Sequence, residues 1–426
     1  MRVRAAAPLH LLPRLDLIDT PREDSPWSTA QCGAMTLPKS PSMFPMIPSF
    51  SFRRHLAWVG ASALFVACAR GGEVTAERTV TSEQIAALPT LTVLDSRLVC
   101  TATGGDLCPL SSAVANRLDD RRIALWEPGR QVMILDAQHP SGHPFGVSGV
   151  NPGEYAVAVA VGPYKGGIAI VDEERNRLVQ YDDEGKFTHE EALPSPTPNA
   201  APGFVGNLPV LQTIRAPGDS GIARLRLQVL TTQEKREGET VLDVPVRWLR
   251  LRGDSAVSFT PLFAVSPVYA IDTDRSIVWS PGDSFRVERR AFNGQVKWAL
   301  AGDLKGLPVT ARDIELRRDD VYRNAPRGQL RPGELDSMVA ATPQEFPVVS
   351  GIVLEPRGRI LLAGSIAPSR DSVEYLLLGN DGTPTNRLKL ERRVHPLVLS
   401  GDSLLVHRPT EGEPWEVRWL VLKPGK

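Results

Sequence analysis

The hydrophobic pattern is a series of short apolar runs cut apart by glycine, proline, asparagine and aspartate. The clearest unit is residues 276–298, SIVWSPGDSFRVERRAFNGQVKW. It reads as an apolar strand, a polar turn, a second strand over residues 284–292, the pair Asn293-Gly294 and the start of a third strand. Asn-Gly supplies the positive φ angles of a two-residue hairpin, which predicts antiparallel pairing of the last two strands. Related apolar runs begin near Ile123, Ile168, Ile222, Ile277, Ile360 and Leu404. Each is followed by a second run, at residues 131–135, 177–181, 244–251, 285–292, 373–378 and 415–422. A spacing of roughly 45–55 residues suits one four-stranded unit per repeat, which is the sequence mark of a β-propeller. Six copies fit between Leu91 and Lys426, so the expected fold is all-β, a six-bladed β-propeller. Residues 90–99 are placed to complete the last blade and remove an exposed edge. The fourth and fifth copies lie further apart. The excess falls in residues 307–344, where 310–322 and 332–340 read as short charged helices, a helical insertion on one face of the disk.

The N-terminus carries a different signal. Residues 1–45 are rich in Pro, Ser and Arg without a period, and are expected to be disordered or to precede the true start. From Met46 the chain reads MIPSFSFRRHLAWVGASALFVAC. Arg53 and Arg54 precede an apolar stretch, residues 56–67, of signal-peptide length and short for a spanning helix. It ends on Ala67-Cys68. This resembles a bacterial lipoprotein signal, whose cleavage leaves a lipidated cysteine at the new N-terminus; here that is Cys68. Phe65 departs from the residues such signals prefer there. Ala69, rather than an aspartate, follows the cysteine, and the same resemblance then implies the outer membrane. On this reading residues 46–68 are the signal, residues 69–90 a polar tether, and residues 91–426 a lipid-anchored, periplasm-facing domain of the bacterial cell envelope. An ordinary secretory signal or an uncleaved anchor is the alternative.

Composition changes the picture in two ways. The chain of 426 residues has 49 basic and 49 acidic side chains and a formal net charge of zero, which argues against a nucleic-acid partner. Its four cysteines include no CxxC pair, which excludes the usual zinc ribbons. In an oxidising compartment Cys100 and Cys108, which flank Gly104-Gly105, are expected to form a disulfide closing a small loop; two reduced thiols are the alternative. Gly-Asp-Ser recurs at residues 218–220, 253–255, 282–284 and 401–403. The first copy continues as GDSG, as around the nucleophile of trypsin-like proteases. Four copies, each before a strand, read as turns.

Residues 145–155, FGVSGVNPGEY, and 170–185, IVDEERNRLVQYDDEG, resemble the repeat segments of NHL-like six-bladed β-propeller proteins, in particular bacterial lipoprotein-type members. The resemblance covers about residues 91–426. It implies the fold and no common chemistry. The chain departs from the pattern at the charged loop 234–239 (EKREGE) and at the linker 138–144 (QHPSGHP).

Candidate chemistry is sparse. His139 and His143 stand four apart, as in HExxH, but Pro140 and Gly142 make the segment a loop and no Glu is in place. They are expected as two exposed loop histidines. A channel site for calcium or another divalent ion would need converging carboxylates. Glu127, Asp172, Asp272 and Asp274 are the candidates, with Asp172 best placed because it follows a core strand. The expected function is an envelope-tethered binding or scaffold module without a resident cofactor, whose partner is an envelope protein or a small ligand. The alternative is a divalent-metal-dependent hydrolase working from the central channel.

Overall fold

The structure, a computed structural model, describes residues 77–102, 108–110, 112–193, 200–205, 208–215, 223–230, 239–246, 250–252, 255–259, 261–272, 274–324, 333–355, 358–409 and 415–425. The expected signal over 46–68, with Cys68, lies outside the described residues, as do the segment 1–45 and the first part of the expected tether.

The chain enters through β1 (Glu77–Val80), the helix α1 (Ser82–Ala86) and the long β2 (Thr90–Thr101). Antiparallel meanders follow. The first is β3 (Val114–Arg117), β4 (Ile123–Trp126), β5 (Val132–Leu135) and β6 (His143–Phe145). The second is β7 (Ala158–Tyr164), β8 (Gly167–Asp172), β9 (Arg177–Tyr181) and β10 (Phe187–Ala192). The third is β11 (Ala200–Val205), β12 (Leu208–Arg215), β13 (Ala223–Val229) and β14 (Glu239–Val246), followed by the hairpin β15 (Arg250–Arg252) and β16 (Ser255–Phe259). The fourth is β17 (Val268–Asp272), β18 (Ser276–Ser280), β19 (Arg286–Ala291) and β20 (Val296–Gly302). The helices α2 (Ala311–Asn324) and α3 (Glu334–Ala340) intervene. Then come β21 (Gly351–Leu354), β22 (Ile360–Ala363), β23 (Ser372–Leu378) and β24 (Pro384–Glu391), and last β25 (His395–Ser400), β26 (Ser403–Pro409) and β27 (Trp415–Pro424).

The arrangement is propeller-like, and its core is sliced between sheets. Successive side chains on a strand point to opposite faces. Ala124, Trp126, Val132 and Ile134 therefore pack on Val161, Ile168 and Ile170 of the second meander. Their neighbours Ile123, Leu125, Met133 and Leu135 pack the other way, on Val398, Leu405 and Val417 of the last one. Similar clusters join the second meander to the third, through Val171 and Phe204, and the third to the fourth, through Leu242 and Ile277. Two more join the fourth to the fifth, through Val278 and Ile360, and the fifth to the last, through Leu377 and Leu404. This two-sided packing explains why β4, β5 and β22 are apolar and buried at every position. The first strands also touch in order: β3 with β7, β7 with β11, β11 with β17, β17 with β21, β21 with β25, and β25 with β3.

The ladder count differs from six separate sheets. Among the described residues there are sheets of four, four, four, five and eight strands, besides the β15–β16 pair. The eight-stranded sheet arises because β2 runs antiparallel to β27, from Leu91–Pro424 to Thr101–Glu416, and also meets β24 through two parallel pairs, Thr90–Arg387 and Leu91–Leu388. The strand expected to complete the last meander thus does so, and its start bridges to the preceding one.

Three expectations need correction. The tether over 69–90 is folded from Glu77 onward: β1 runs parallel to β20, Arg286 pairs with Glu77 at 2.7 Å, and Arg78 with Asp381 at 2.9 Å. The Ile222 run supplies the third strand of its sheet, β13, and the strand after it is Glu239–Val246 rather than 244–251. At Asn293-Gly294 only the glycine takes positive φ, at 87°. The Asn293 Oδ1 instead accepts the Gln295 N–H at 3.0 Å, and the turn closes by the Ala291 N–H to Gln295 carbonyl bond at 2.8 Å. The pairing of β19 with β20 is antiparallel as predicted, through a three-residue turn with glycine in the left-handed position.

Both expected insertion helices form. At α2 the Thr310 hydroxyl accepts the Asp313 N–H (3.2 Å) while Asp313 accepts the Thr310 N–H (3.0 Å), a reciprocal cap. The second Asp313 oxygen accepts the Ser369 N–H at 2.8 Å and anchors the insertion to the loop after β22.

Candidate functional site

The candidate carboxylates of the channel reading do not converge. Asp172 is fully buried. Its oxygens accept the N–H groups of Ala156 (3.2 Å) and Val157 (3.1 Å), and Arg177, directly opposite it on β9, approaches to 3.4 Å. Arg177 also pairs with Glu190 and donates to the Glu154 carbonyl. Asp272 and Asp274 share the buried guanidinium of Arg289, and Asp274 also holds Lys297 at 2.7 Å. Glu127 accepts the N–H groups of Leu110 (2.7 Å) and Ser112 (3.4 Å). Asp172, Glu127 and the Asp272–Asp274 pair belong to different meanders, and each is committed to an internal cation or to backbone donors. Burial of this kind is typical of structural ion pairs, whose desolvation must be met by close partners.

The cysteines lie together. Cys100, near the end of β2, is bonded to Cys108, with 5.8 Å between their Cα atoms, and Cys108 is buried beside Leu125 and Leu135.

Among the described residues, three potential metal-ligating side chains come together at the β5–β6 hairpin. Residues 132–135 are wholly buried and end on Asp136. One Asp136 oxygen accepts the N–H groups of Gln138 (2.8 Å) and His139 (2.6 Å), an aspartate-bonded turn. Pro140 and Ser141 carry the chain over. Gly142 sits at φ 84°, and its N–H bonds the His139 carbonyl at 2.9 Å. That positive φ is what asks for glycine here; a Cβ would also meet the flexible end of the Met133 side chain at 2.7 Å. His143 then pairs with Ile134 in the ladder. Asp136 lies two residues beyond Ile134, and this brings the aspartate and both histidines to one side of the hairpin.

The His139 Nδ1 lies 3.2 Å from one Asp136 oxygen and 3.3 Å from the other. The His143 Nδ1 is 3.8 Å from the carboxylate, and the two imidazole rings are 4.5 Å apart. One ligand atom from each of the three residues lies within 4.8 Å of the others. Side-chain exposure is 20% for Asp136, 34% for His143 and 50% for His139, so the group opens to solvent at the histidine end. The His143 Nδ1 is nonetheless buried and has no hydrogen-bond partner.

The electrostatics favour ligand protonation states. Burial works to raise the Asp136 carboxyl, but the hydrogen bonds from His139 and Gln138 outweigh it and hold the group below the usual carboxylate range. Burial and the adjacent His139 push His143 below the usual histidine value, against the pull of Asp136. An ionised carboxylate beside a neutral imidazole is a donor pair for a metal.

The histidines are therefore not merely two exposed loop residues. Asp136, unnoticed in the sequence, joins them. The signal that could have found it is an aspartate ending an apolar strand three residues before the first histidine, where it can close the turn that brings the second one back.

The neighbouring segment 145–155 is a packing device. Tyr155 is buried; its hydroxyl accepts the Val132 N–H (2.7 Å) and donates to the Phe145 carbonyl (3.3 Å). The Tyr181 hydroxyl donates to the Gly153 carbonyl at 2.8 Å. Gly146, at φ 65°, lies so close that a Cβ would meet the Tyr181 ring at 2.9 Å.

No family model matches this chain, and no curated protein matches it. Among solved structures it is similar to a Bacteroides fragilis protein described as exported, at 10% identity and a TM-score of 0.46 over 82% of this chain and 98% of that one. It is also similar to a DUF4221 family member of Bacteroides vulgatus, at 11% identity and a TM-score of 0.44 over 80% and 99% of the two chains. A third is virginiamycin B lyase from Staphylococcus aureus with quinupristin, at 11% identity and a TM-score of 0.37 over 78% and 99%. With TM-scores below one half, the architecture rests on this chain's own sheet order.

Proposed function

We propose that this chain is a bacterial cell-envelope protein: a six-bladed β-propeller, tethered through a lipid on Cys68, that acts as a binding or scaffold module. The observation that carries the reading is the cyclic contact of the six first strands, ending with β25 against β3. In it the eight-stranded sheet counts as two blades, β21–β24 and β25–β27 with β2, joined by two residue pairs. A disk closed by its own first and last strands is rigid, and recognition then falls to the loops that rim it. The signal-like stretch ending at Cys68 and the Cys100–Cys108 bond support an oxidising compartment outside the cytosol.

The alternative, a hydrolase using a divalent ion in the channel, has weaker support, because Asp172, Asp272 and Asp274 are neutralised by arginine and lysine. The test is crosslinking and capture of the tagged full chain from its own envelope, with a Cys68→Ser control. The expected result is one dominant partner, lost together with membrane retention in the control. Unchanged membrane fractionation of Cys68→Ser would overturn the tether, and failure to capture any partner from a protein still in the membrane would overturn an envelope-protein partner and leave a small molecule or metal as the ligand.

A further inference from the structure

We infer that Asp136, His139 and His143 form a binding site for a divalent first-row transition-metal ion of the zinc type. The site lies on the outer hairpin of the first meander, apart from the channel carboxylates, and stands independently of the function proposed above.

Two imidazoles and one carboxylate suit zinc, nickel or copper. Calcium and magnesium prefer shells made of oxygen alone. The carboxylate is already aimed. One oxygen is held by the N–H groups of Gln138 and His139, which fixes the side chain and leaves the other oxygen toward His143. Such outer bonds orient metal ligands. His143 offers the second observation. Its buried Nδ1 has no hydrogen-bond partner and stands 3.8 Å from that carboxylate, beyond bonding range. A buried polar atom without a partner is costly, and a cation between it and Asp136 would satisfy both. His139 closes the third side, its Nδ1 3.2 Å from the aspartate.

Closure asks for little movement. Ligand atoms on a tetrahedral zinc, at about 2.0–2.2 Å from the ion, lie roughly 3.3 Å apart. The three donors already lie within 4.8 Å, and His139 and His143 are the more exposed members, so rotation about their side-chain bonds brings the nitrogens in. Three protein ligands leave a fourth position for water or for a donor from a bound molecule, the arrangement of an open rather than a closed zinc site.

The test is calorimetric titration of the untagged full chain, in detergent, with Zn2+ and separately with Ca2+. The expected result is one Zn2+ per chain, removed by a chelator, with no competition from Ca2+. Asp136→Asn, His139→Ala and His143→Ala should each weaken Zn2+ binding by at least the about 10- to 100-fold that loss of an orienting partner costs. His189→Ala, at an exposed histidine elsewhere, should bind as the parent does. Circular dichroism on each variant separates lost binding from lost fold, and Asp136→Asn keeps the shape of the side chain. Absence of stoichiometric Zn2+, binding unchanged in His143→Ala, or equal binding of Ca2+ would each overturn the site.

Discussion

Asp136 and Asp172 occupy nearly the same sequence setting and reach opposite ends of the range open to a carboxylate. Each ends an apolar strand, Val132–Leu135 before Asp136 and Gly167–Asp172 itself. Asp172 faces Arg177 across the tight β8–β9 turn and is sealed with it. Asp136 also ends its strand at a hairpin, but the returning strand brings His143, and no arginine or lysine pairs with it among the described contacts. An arginine on the returning strand makes an internal ion pair. A histidine there leaves a carboxylate that keeps its charge and a nitrogen without a partner. The same division separates the histidines: His139 is exposed and His143 half-buried, whereas His407 is buried and stacked on Trp415 at 4.4 Å.

The largest effect should come from breaking the sealed pair. Arg177→Met leaves Asp172 buried without its cation and should cost about 3–5 kcal/mol in urea unfolding. Next is the sealed histidine. Burial pushes His407 from its ordinary value down to about 4. The unfolded chain takes up this proton near pH 6.5 and the folded chain only near pH 4. Stability is therefore full above pH 6.5, falls as pH drops through this window, and levels off below it. The loss is about 3 kcal/mol, and His407→Gln should flatten that segment of the unfolding-against-pH curve. A smaller effect is expected at Tyr155→Phe, which removes a hydroxyl bonded to Val132 and Phe145 and should cost about 1–3 kcal/mol by the same unfolding measurement. The smallest belongs to the open group: Asp136→Asn without metal should change stability by less than about 1 kcal/mol, because the asparagine oxygen still accepts the Gln138 and His139 N–H groups and the side-chain pair lost, with His139, is solvent-exposed. If Asp136→Asn proved as damaging as Arg177→Met, the contrast between sealed and open carboxylates would be lost.

Much of the fold was legible because a propeller strand is written locally. The apolar runs at Ile123, Ile277 and Ile360 begin strands at those positions or one residue before, and residues 90–99 lie within the strand that completes the last meander. What was illegible depends on distant partners. Nothing in Glu77–Val80 marks a strand; it is held to β20 and to Asp381, some three hundred residues away. The parallel bridge from Thr90 to Arg387 likewise has no local signature.

The site was half legible. The linker 138–144 stood out as a departure from the repeat pattern, and Pro140 and Gly142 do lie in a turn, whereas His143 and Pro144 already belong to β6. The spacing of the histidines was judged against a helical motif, which a loop cannot satisfy. The third donor, Asp136, stands just after the strand before it. Asp172 looked better placed because strand position is visible in a sequence, whereas commitment to an arginine emerges only when the hairpin register is known.

The most direct test of this contrast is an anomalous-difference map at the zinc edge from crystals of the protein soaked in Zn2+. The account predicts a peak between the Asp136 carboxylate and the rings of His139 and His143, and none at Asp172. A peak at Asp172 with nothing in the β5–β6 hairpin would contradict it.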